Sequence, residues 1–594
     1  MNEWIFTSQR LGEMIEFCSP EERDVFQIDV TRIEWKRYLL NYAWGLHKFI
    51  LKENIDLPTE TGKVDVLMTS GKFSSLSTLA WPFTRENRFQ PKTAAEMKKI
   101  VLSSKRVADV IRDIVINKKT MNLGDQQFEE YLYKMASKEC DLMFSKFEAK
   151  VAKFFAFLVH LVSKKIYEKV VIDEDKLNML RNMDTKTYGP LIFMPTHRSY
   201  VDFLILSYTL MAFSIKCPQI VAAEDFLSMA LVPMLLRGGG AFFIRRKKSE
   251  FPEIYNAILY EYIHALLLDQ NWLEFFVEGT RSRYGKTLGP KSGILNIVLD
   301  AVLDNKITDA QIVPITLNYD RILEGETYPY ELLGEQKVKE SLARVIKGVS
   351  VLNMNFGKIY IDICQPFSAK KYIQQYVENQ KEKIDPYGNP SQRYPITKSL
   401  GQEVVYRLNE GLVIMPTAMV SSVILLHRKG ISEENLHNKI EWLVDQLQMR
   451  KTKVGLSEGR YSIVSTKNAI SLLDSLINQK KDMFHIQLAA KEDHKNILLL
   501  SFYRNTLIHV FWNESLVACA LSSFGQEVAW KEGVSIERLW EEVDFLNTLL
   551  VKEFQLREKI NRNSFVSIID RMVQYGILEI IEGDEKKVKV KSFI

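Results

Sequence analysis

The sequence predicts an α/β core, a mixed sheet flanked by helices, with helical N-terminal and C-terminal regions. Three observations predict it. Short apolar runs alternate with helical stretches between about residues 130 and 375, the pattern of strands joined by crossover helices. Both flanks carry the helical period instead. The chain has 594 residues, 46% hydrophobic and 26% charged, which is the length of several folding units and the composition of a folded protein. Extensive disorder and low complexity are excluded. We divide the chain into a helical region over 1–130, an α/β unit over 131–375 and a helical region over 398–594.

Residues 1–57 read as two or three short helices. Pro58 to Lys92, rich in Ser, Thr, Gly and Pro, reads as a connection. The pattern is helical from about Thr93 to Lys169. Within it Phe144, Phe147, Val151, Phe154, Phe155, Phe157, Leu158 and Leu161 fall at helical spacing and predict a buried face. Strands follow over Val170–Ile172, Leu191–Met194, Gln219–Ala222, Ala241–Ile244, Trp272–Val277, Gln311–Leu317 and Lys358–Ile363. Helices fall between them over Tyr200–Phe213, Glu253–Leu268 and Gly293–Leu303. The loop Asp385–Pro390 closes this unit. Ile577–Ile581 and Lys587–Val590 then predict a hairpin after two helices, a winged-helix-like ending. No repeat of fixed period is visible.

Lys and Arg number 79 against 74 Asp and Glu, a net charge of +5, too small an excess to imply a nucleic-acid partner. The five cysteines are scattered without a C-x-x-C pair and the nine histidines without H-E-x-x-H, so neither a disulfide framework nor a metal site is expected. The start, Met1 to Gly12, lacks the apolar core of a secretory signal. Phe154–Val162 and Phe203–Phe213 fall short of the roughly 20 apolar residues that cross a bilayer, and Ile497–Leu521 is interrupted by Arg504, His509 and Glu514. The chain reads as non-spanning, with peripheral membrane contact left open.

Four blocks carry candidate chemistry. In the first, His197 lies five residues before Asp202. In a continuous helix five residues turn about 500°, leaving the two side chains roughly 140° apart. Here Pro195 ends a strand and the helical pattern starts only near Tyr200, so a bend can return Asp202 to the imidazole. The aspartate would then orient the ring and stabilise its charged form while the other nitrogen accepts a proton. Chance alone supplies about half of one such spacing among the histidines of a chain this size. A second indeed occurs, His264 and Asp269, inside an unbroken helical pattern where the two cannot meet. The second block is Gly238-Gly239-Gly240, a strand, then Arg245, Arg246, Lys247 and Lys248. It is either a phosphate site or a solvated basic strand end. The third, Glu278-Gly279-Thr280-Arg281-Ser282-Arg283 followed by Lys286 and Lys291, puts guanidinium forks at a strand's carboxyl end, where α/β sheets place ligands. In the fourth, Pro314 interrupts the strand Ile312-Val313-Pro314-Ile315, which predicts an edge or a cavity wall.

In this order and spacing the four blocks resemble the glycerolipid acyltransferase family, and most closely its dihydroxyacetone phosphate acyltransferase branch. The resemblance rests on His197–Phe203, Gly240–Arg246, Glu274–Arg283, Lys286–Val298, Val313–Glu326 and Tyr330–Gly334. It implies transfer of a long-chain acyl group from acyl-CoA to the hydroxyl of dihydroxyacetone phosphate, with no cofactor and no metal. His197 would be the general base and Asp202 its partner. Arg245, Arg281, Arg283 and Lys291 would bind the substrate phosphate, with Arg246 and Lys286 in weaker support. Glu278, Gly279 and Thr280 would position the substrate, Pro314 would wall the acyl donor, and backbone N–H groups after His197 would hold the oxyanion. The cysteines, Cys217 included, would only pack.

The resemblance also implies peripheral attachment to the peroxisomal membrane and a complex with alkyl-dihydroxyacetone phosphate synthase. The branch commonly ends in an S-K-L-like tripeptide, and this chain ends Ser592-Phe593-Ile594. Two alternatives stay open: a glycerol-3-phosphate acyltransferase, and a non-catalytic lipid-surface scaffold that keeps the fold.

Overall fold

The computed structural model describes residues 91–117, 125–228, 231–245, 249–334, 354–456, 463–480, 482–487, 494–550, 553–555, 557, 560–582 and 586–591, together with 63–67 and residues 38, 42, 46, 50 and 51. Residues 65–456 with 461–594 form one compact unit, and 1–64 with 457–460 another. The helices expected over 1–57, most of the connection after them, and Arg246, Lys247 and Lys248 lie outside the described residues.

The larger unit is built on a mixed sheet. Its strands are β1 (Lys169–Asp173), β2 (Leu191–Pro195), β3 (Gln219–Ala223), β4 (Ala241–Ile244), β5 (Leu273–Glu274), β6 (Gln311–Tyr319), β7 (Lys358–Ile363) and the short β8 (Phe367–Ser368). They run in the order β1–β7–β6–β2–β5–β3–β4, with β8 also on β6. β2 is parallel to both β5 and β6, whereas β6 is antiparallel to β7 and β8. Alternation along the strands sorts side chains to two faces. Ile192, Met194, Phe242, Leu273 and Ile312 share one core with α1 (Asp125–Met143), α5 (Pro252–Leu268), α6 (Gly293–Leu303) and α7 (Arg393–Glu410). Ile220, Ala222, Ala241 and Phe243 face the other way, onto Phe203 of α3 (Asp202–Ala212) and Leu236 of α4 (Val232–Gly238), with Phe155 of α2 (Ala149–Ile166) alongside. The three layers put the strand ends, and the turns that leave them, along one rim.

Two expectations change here. The strand expected over Trp272–Val277 pairs only at Leu273 and Glu274. Phe275 still donates to the Phe193 carbonyl at 3.1 Å, and then the chain turns through Gly279 at φ +68°, a left-handed conformation that glycine adopts without a Cβ penalty. The aromatic stripe expected to be buried is buried only in part: Phe144 sits in the core and Phe155 packs on an apolar cluster. α2 buries Ala152, Ala156, His160, Ser163 and Ile166 instead, while Phe154 is 46% and Leu161 48% exposed. Small residues on the inner side let the helix approach closely. Gly238 contributes to this, since a Cβ there would lie 2.3 Å from a Val151 methyl.

The C-terminal region holds a duplication that the sequence hides. Helix Pro416–Leu426, strand Ile431–Ser432, helices Glu433–Met449 and Ile463–Leu472, and strands Ile477–Lys480 and Met483–Ile486 make one run. Helix Ile508–Ser523, strand Val534–Ser535, helices Ile536–Leu550 and Arg562–Gln574, and strands Leu578–Ile581 and Lys587–Val590 repeat it. In each, the short strand pairs antiparallel with the second strand of the hairpin. The terminal winged-helix-like unit is therefore preceded by another of the same plan, recognisable by element order and not by residue identity.

Candidate active site

β2 stops at Pro195, and the chain bends through Thr196–Val201 before α3 starts at Asp202. The bend is pinned to β6: the Thr196 N–H donates to the Ile315 carbonyl at 2.9 Å, and the Leu317 N–H donates to Thr196 Oγ1 at 2.9 Å. The bend brings His197 Nδ1 to 3.0 Å from Asp202 Oδ2. The same oxygen accepts the N–H groups of Arg198 at 2.7 Å and Ser199 at 2.9 Å. Oδ1 accepts the Tyr319 hydroxyl at 2.5 Å. Asp202 is fully buried and the His197 side chain 17% exposed, so the carboxylate's capacity is spent inside the protein while the ring reaches an edge. Phe276 stacks on the imidazole, centroids 3.8 Å apart. A ring held at Nδ1 by a carboxylate presents Nε2 as the nitrogen that exchanges a proton.

The buried Glu278 carboxylate accepts the His197 N–H at 2.9 Å and the Leu288 N–H at 2.8 Å. It braces the turn and does not face outward, which corrects the expectation that it positions the substrate directly. Burial pushes its pKa up, against the pull of Arg198 and those two donors. The Ser282 N–H donates to the His197 carbonyl at 2.9 Å, so the loop of the third block clasps the histidine's peptide from both sides. Glu324 braces the next stretch of the turn in the same way, accepting Ser199 Oγ–H at 2.7 Å and the Tyr200 N–H at 2.6 Å. Burial raises its pKa to about 7, partly offset by Arg281. The expected oxyanion donors are accounted for too. The N–H groups of His197, Arg198, Ser199 and Tyr200 all end on internal carboxylates, so the turn has no amide there to offer.

The cations separate into groups. Arg281 is 6% exposed and lies 3.4 Å over the Tyr200 ring. It donates to the Tyr328 hydroxyl at 3.2 Å and sits 3.7 Å from Glu324. Arg283 pairs with Glu331 and donates to Thr280 Oγ1 at 3.2 Å. Lys291 is exposed, with its stem against Gly279, where a Cβ would lie 2.7 Å from Lys291 Cγ. Lys286 pairs with Glu553. Arg245, two strands further along the rim, pairs with Glu139 at 2.8 Å and faces Glu224 at 3.8 Å. The structure thus joins His197, Asp202, Glu278 and the Gly279–Arg283 loop, and leaves Arg245 at the end of β4.

Pro314 lies neither at an edge nor on an open wall. It is buried in β6, opposite Met194 of β2. Its carbonyl accepts the Cys364 N–H, so its missing N–H falls between the stretches that pair with β7 and β8, where no ladder bond is lost. The glycines before β4 serve packing and the turn. His264 behaves as expected of a helical histidine: Nε2 meets the Ile297 carbonyl at 2.9 Å, Nδ1 meets Lys306, and burial lowers its pKa to about 4. The Cys217 thiol, buried, is pushed up to about 12. Tyr319, Glu324 and Phe276 were not singled out from the sequence, although the first two lie within the Val313–Glu326 block and the third within Glu274–Arg283.

An imidazole–carboxylate pair on a β–turn–α bend at the rim of a mixed sheet, clasped by a loop bearing two arginines, defines an acyltransferase domain. The comparisons agree: residues 176–318 match the family model Acyltransferase, and residues 328–592 match the model Glycerol-3-phosphate acyltransferase C-terminal region. Over these two stretches the chain is similar to the glycerolipid acyltransferases. It is 31% identical to the Dihydroxyacetone phosphate acyltransferase of Mus musculus, over 73% of this chain and 64% of that protein. It is 32% identical to the human protein of that name, over 72% and 63%. The Glycerol-3-phosphate acyltransferase 1, mitochondrial, of Mus musculus is 28% identical over 83% and 65%. The chain therefore spans about 64% of the length of the relatives it matches. A further model, Male sterility protein, matches residues 1–53, of which only residues 38, 42, 46, 50 and 51 are described.

Proposed function

We propose that this chain transfers a long-chain fatty acyl group from acyl-CoA to the free hydroxyl of dihydroxyacetone phosphate. The observation that carries the reading is the contact of His197 Nδ1 with a buried carboxylate that three further groups of the turn and β6 hold in place. His197 takes the hydroxyl proton through Nε2. The oxygen adds to the thioester carbonyl, the C–S bond breaks, and the imidazolium returns the proton to the departing thiolate. Asp202 stabilises the imidazolium. No acyl-enzyme forms, since the nucleophile is the substrate's own oxygen. Lys291, against Gly279, binds the phosphate directly. Arg281, Arg283 and Arg245, each beside a carboxylate, shape the field around it.

The acceptor follows the relatives with the higher identity. Glycerol-3-phosphate is the second reading, favoured by the name of the model over residues 328–592 and by the mitochondrial relatives' longer match. Purified chain given palmitoyl-CoA with each acceptor separates the two: faster release of CoA with dihydroxyacetone phosphate supports the first, and release only with glycerol-3-phosphate replaces it. No helix among the described residues is long and apolar enough to cross a membrane, which fits peripheral attachment. By family resemblance we place the protein at the peroxisomal membrane, with the alkyl-transferring synthase as partner.

A further inference from the structure

α2 is two helices in one. Its inner face carries the small and polar residues that pack on the sheet. Its outer face carries Phe154, Leu161 and Val162, exposed by 46%, 48% and 37%. These positions, seven and eight residues apart, fall on one stripe. Against α2 lies α4, where Met234 is 59% exposed, and Leu231, 69% exposed, caps its start. Five large apolar side chains on two neighbouring helices form a patch of the kind that marks an interaction site. Within α2 the charge has one sign, although the exposed Glu148 and Glu168 flank its two ends. Lys150, Lys153, Lys164 and Lys165 are the charged residues of Ala149–Ile166, and the helix contains no acid.

We propose that α2 and α4 dock this protein onto an anionic lipid bilayer, with the apolar stripe in the acyl boundary and the lysines at the headgroups. The charge argues for lipid over a second copy of the chain, because a two-fold pairing of this face would set lysines against lysines. Under the patch a small cavity of about 30 Å³ is lined by Phe155 and Val159 of α2, Phe203 and Ser207 of α3, and Leu236 of α4. Phe155 and Phe203 belong to an apolar cluster that runs on to Phe276, the ring stacked on His197. The docking does not depend on the acyl-transfer reading.

The test is co-sedimentation of the full chain with vesicles of phosphatidylcholine alone and with about one-third phosphatidylserine. We expect binding to the anionic vesicles that weakens with salt. Each lysine near such a surface is worth about fivefold in affinity, so Lys164→Glu with Lys165→Glu should cost well over tenfold. Phe154→Ser with Leu161→Ser should cost about tenfold through lost apolar burial. All four positions are solvent-exposed, and an unchanged melting temperature verifies the fold. Equal binding by wild type and both variants overturns the proposal. So does light scattering that finds a dimer which the Phe154 and Leu161 substitutions convert to monomer. Transfer from a water-soluble short-chain acyl-CoA keeps the two readings apart. The variants should retain it, and its absence in the wild type would sink the enzymatic reading whatever the vesicles do.

Discussion

His197 and His264 each stand five residues before an aspartate, and the two regions do opposite things with that spacing. Between His197 and Asp202 the chain leaves a strand at Pro195, bends, and starts a helix, and the side chains meet at 3.0 Å. His264 lies within α5, which continues to Leu268, and Asp269 caps its end. There Asp269 pairs with Lys92 and the imidazole goes to a backbone carbonyl. The lesson is that the histidine–aspartate contact is made by the interruption of the helix, not by the number of residues between its members. The interruption has to be held open, and three buried acids hold it: Asp202, Glu278 and Glu324 collect the amides that a continuous helix would have satisfied internally.

The comparison breaks most plainly at the histidines. His197→Ala should lower turnover by about 10²–10⁴, the usual worth of a general base, with the melting temperature nearly unchanged. His264→Gln should leave turnover intact and destabilise the fold by about 1–2 kcal/mol, the range for a buried hydrogen bond mispaired. A turnover loss in the second variant as large as in the first would erase the distinction. Asp202→Asn should act next in size, costing about tenfold to a hundredfold in turnover. It should also lower stability by about 1–3 kcal/mol, since an amide cannot accept all four donors and must turn its NH₂ toward one. Tyr319→Phe removes one of those four. It should cost severalfold at most, while moving the limb of the pH–rate profile that reports His197. A lowered rate with no movement of that limb would make Tyr319 a packing residue only.

Much of this was legible in the sequence because it is local. The strand–proline–turn–helix punctuation around residues 191–213 is written in residues that break or favour elements, and every expected strand except the one over Trp272–Val277 appears within a residue or two of its bounds. What stayed hidden depends on partners far along the chain. Glu278 looks like a substrate contact until the His197 amide is seen against it, 81 residues away in sequence. Tyr319 reaches Asp202 from 117 residues away. The aromatic stripe of α2 misled for a different reason. Helical spacing reports that a face is apolar, not which surface covers it, and on α2 the buried face belongs to alanine, serine and histidine. The duplicated winged-helix plan escaped because its two copies share an order of elements and no recurring residue pattern.

The smallest effect sharpens the comparison further. The two regions should respond to pH in opposite directions. Glu324 beside the turn has its folded pKa raised from 4.5 to about 7 by burial. It therefore contributes stability that is full below about pH 4.5 and is lost as the pH rises through 7. Buried His264 has its folded pKa lowered from 6.5 to about 4, so its contribution is full above pH 6.5 and is lost as the pH falls through 4. Melting temperatures measured from pH 5 to pH 8 should show Glu324→Gln flattening the alkaline decline by a few degrees and leaving the acid side alone. His264→Gln should do the reverse. If Glu324→Gln instead leaves the alkaline limb as steep as in the wild type, the carboxyl that braces Ser199 and Tyr200 is not the group that titrates there, and the turn is held by Asp202 and Glu278 alone.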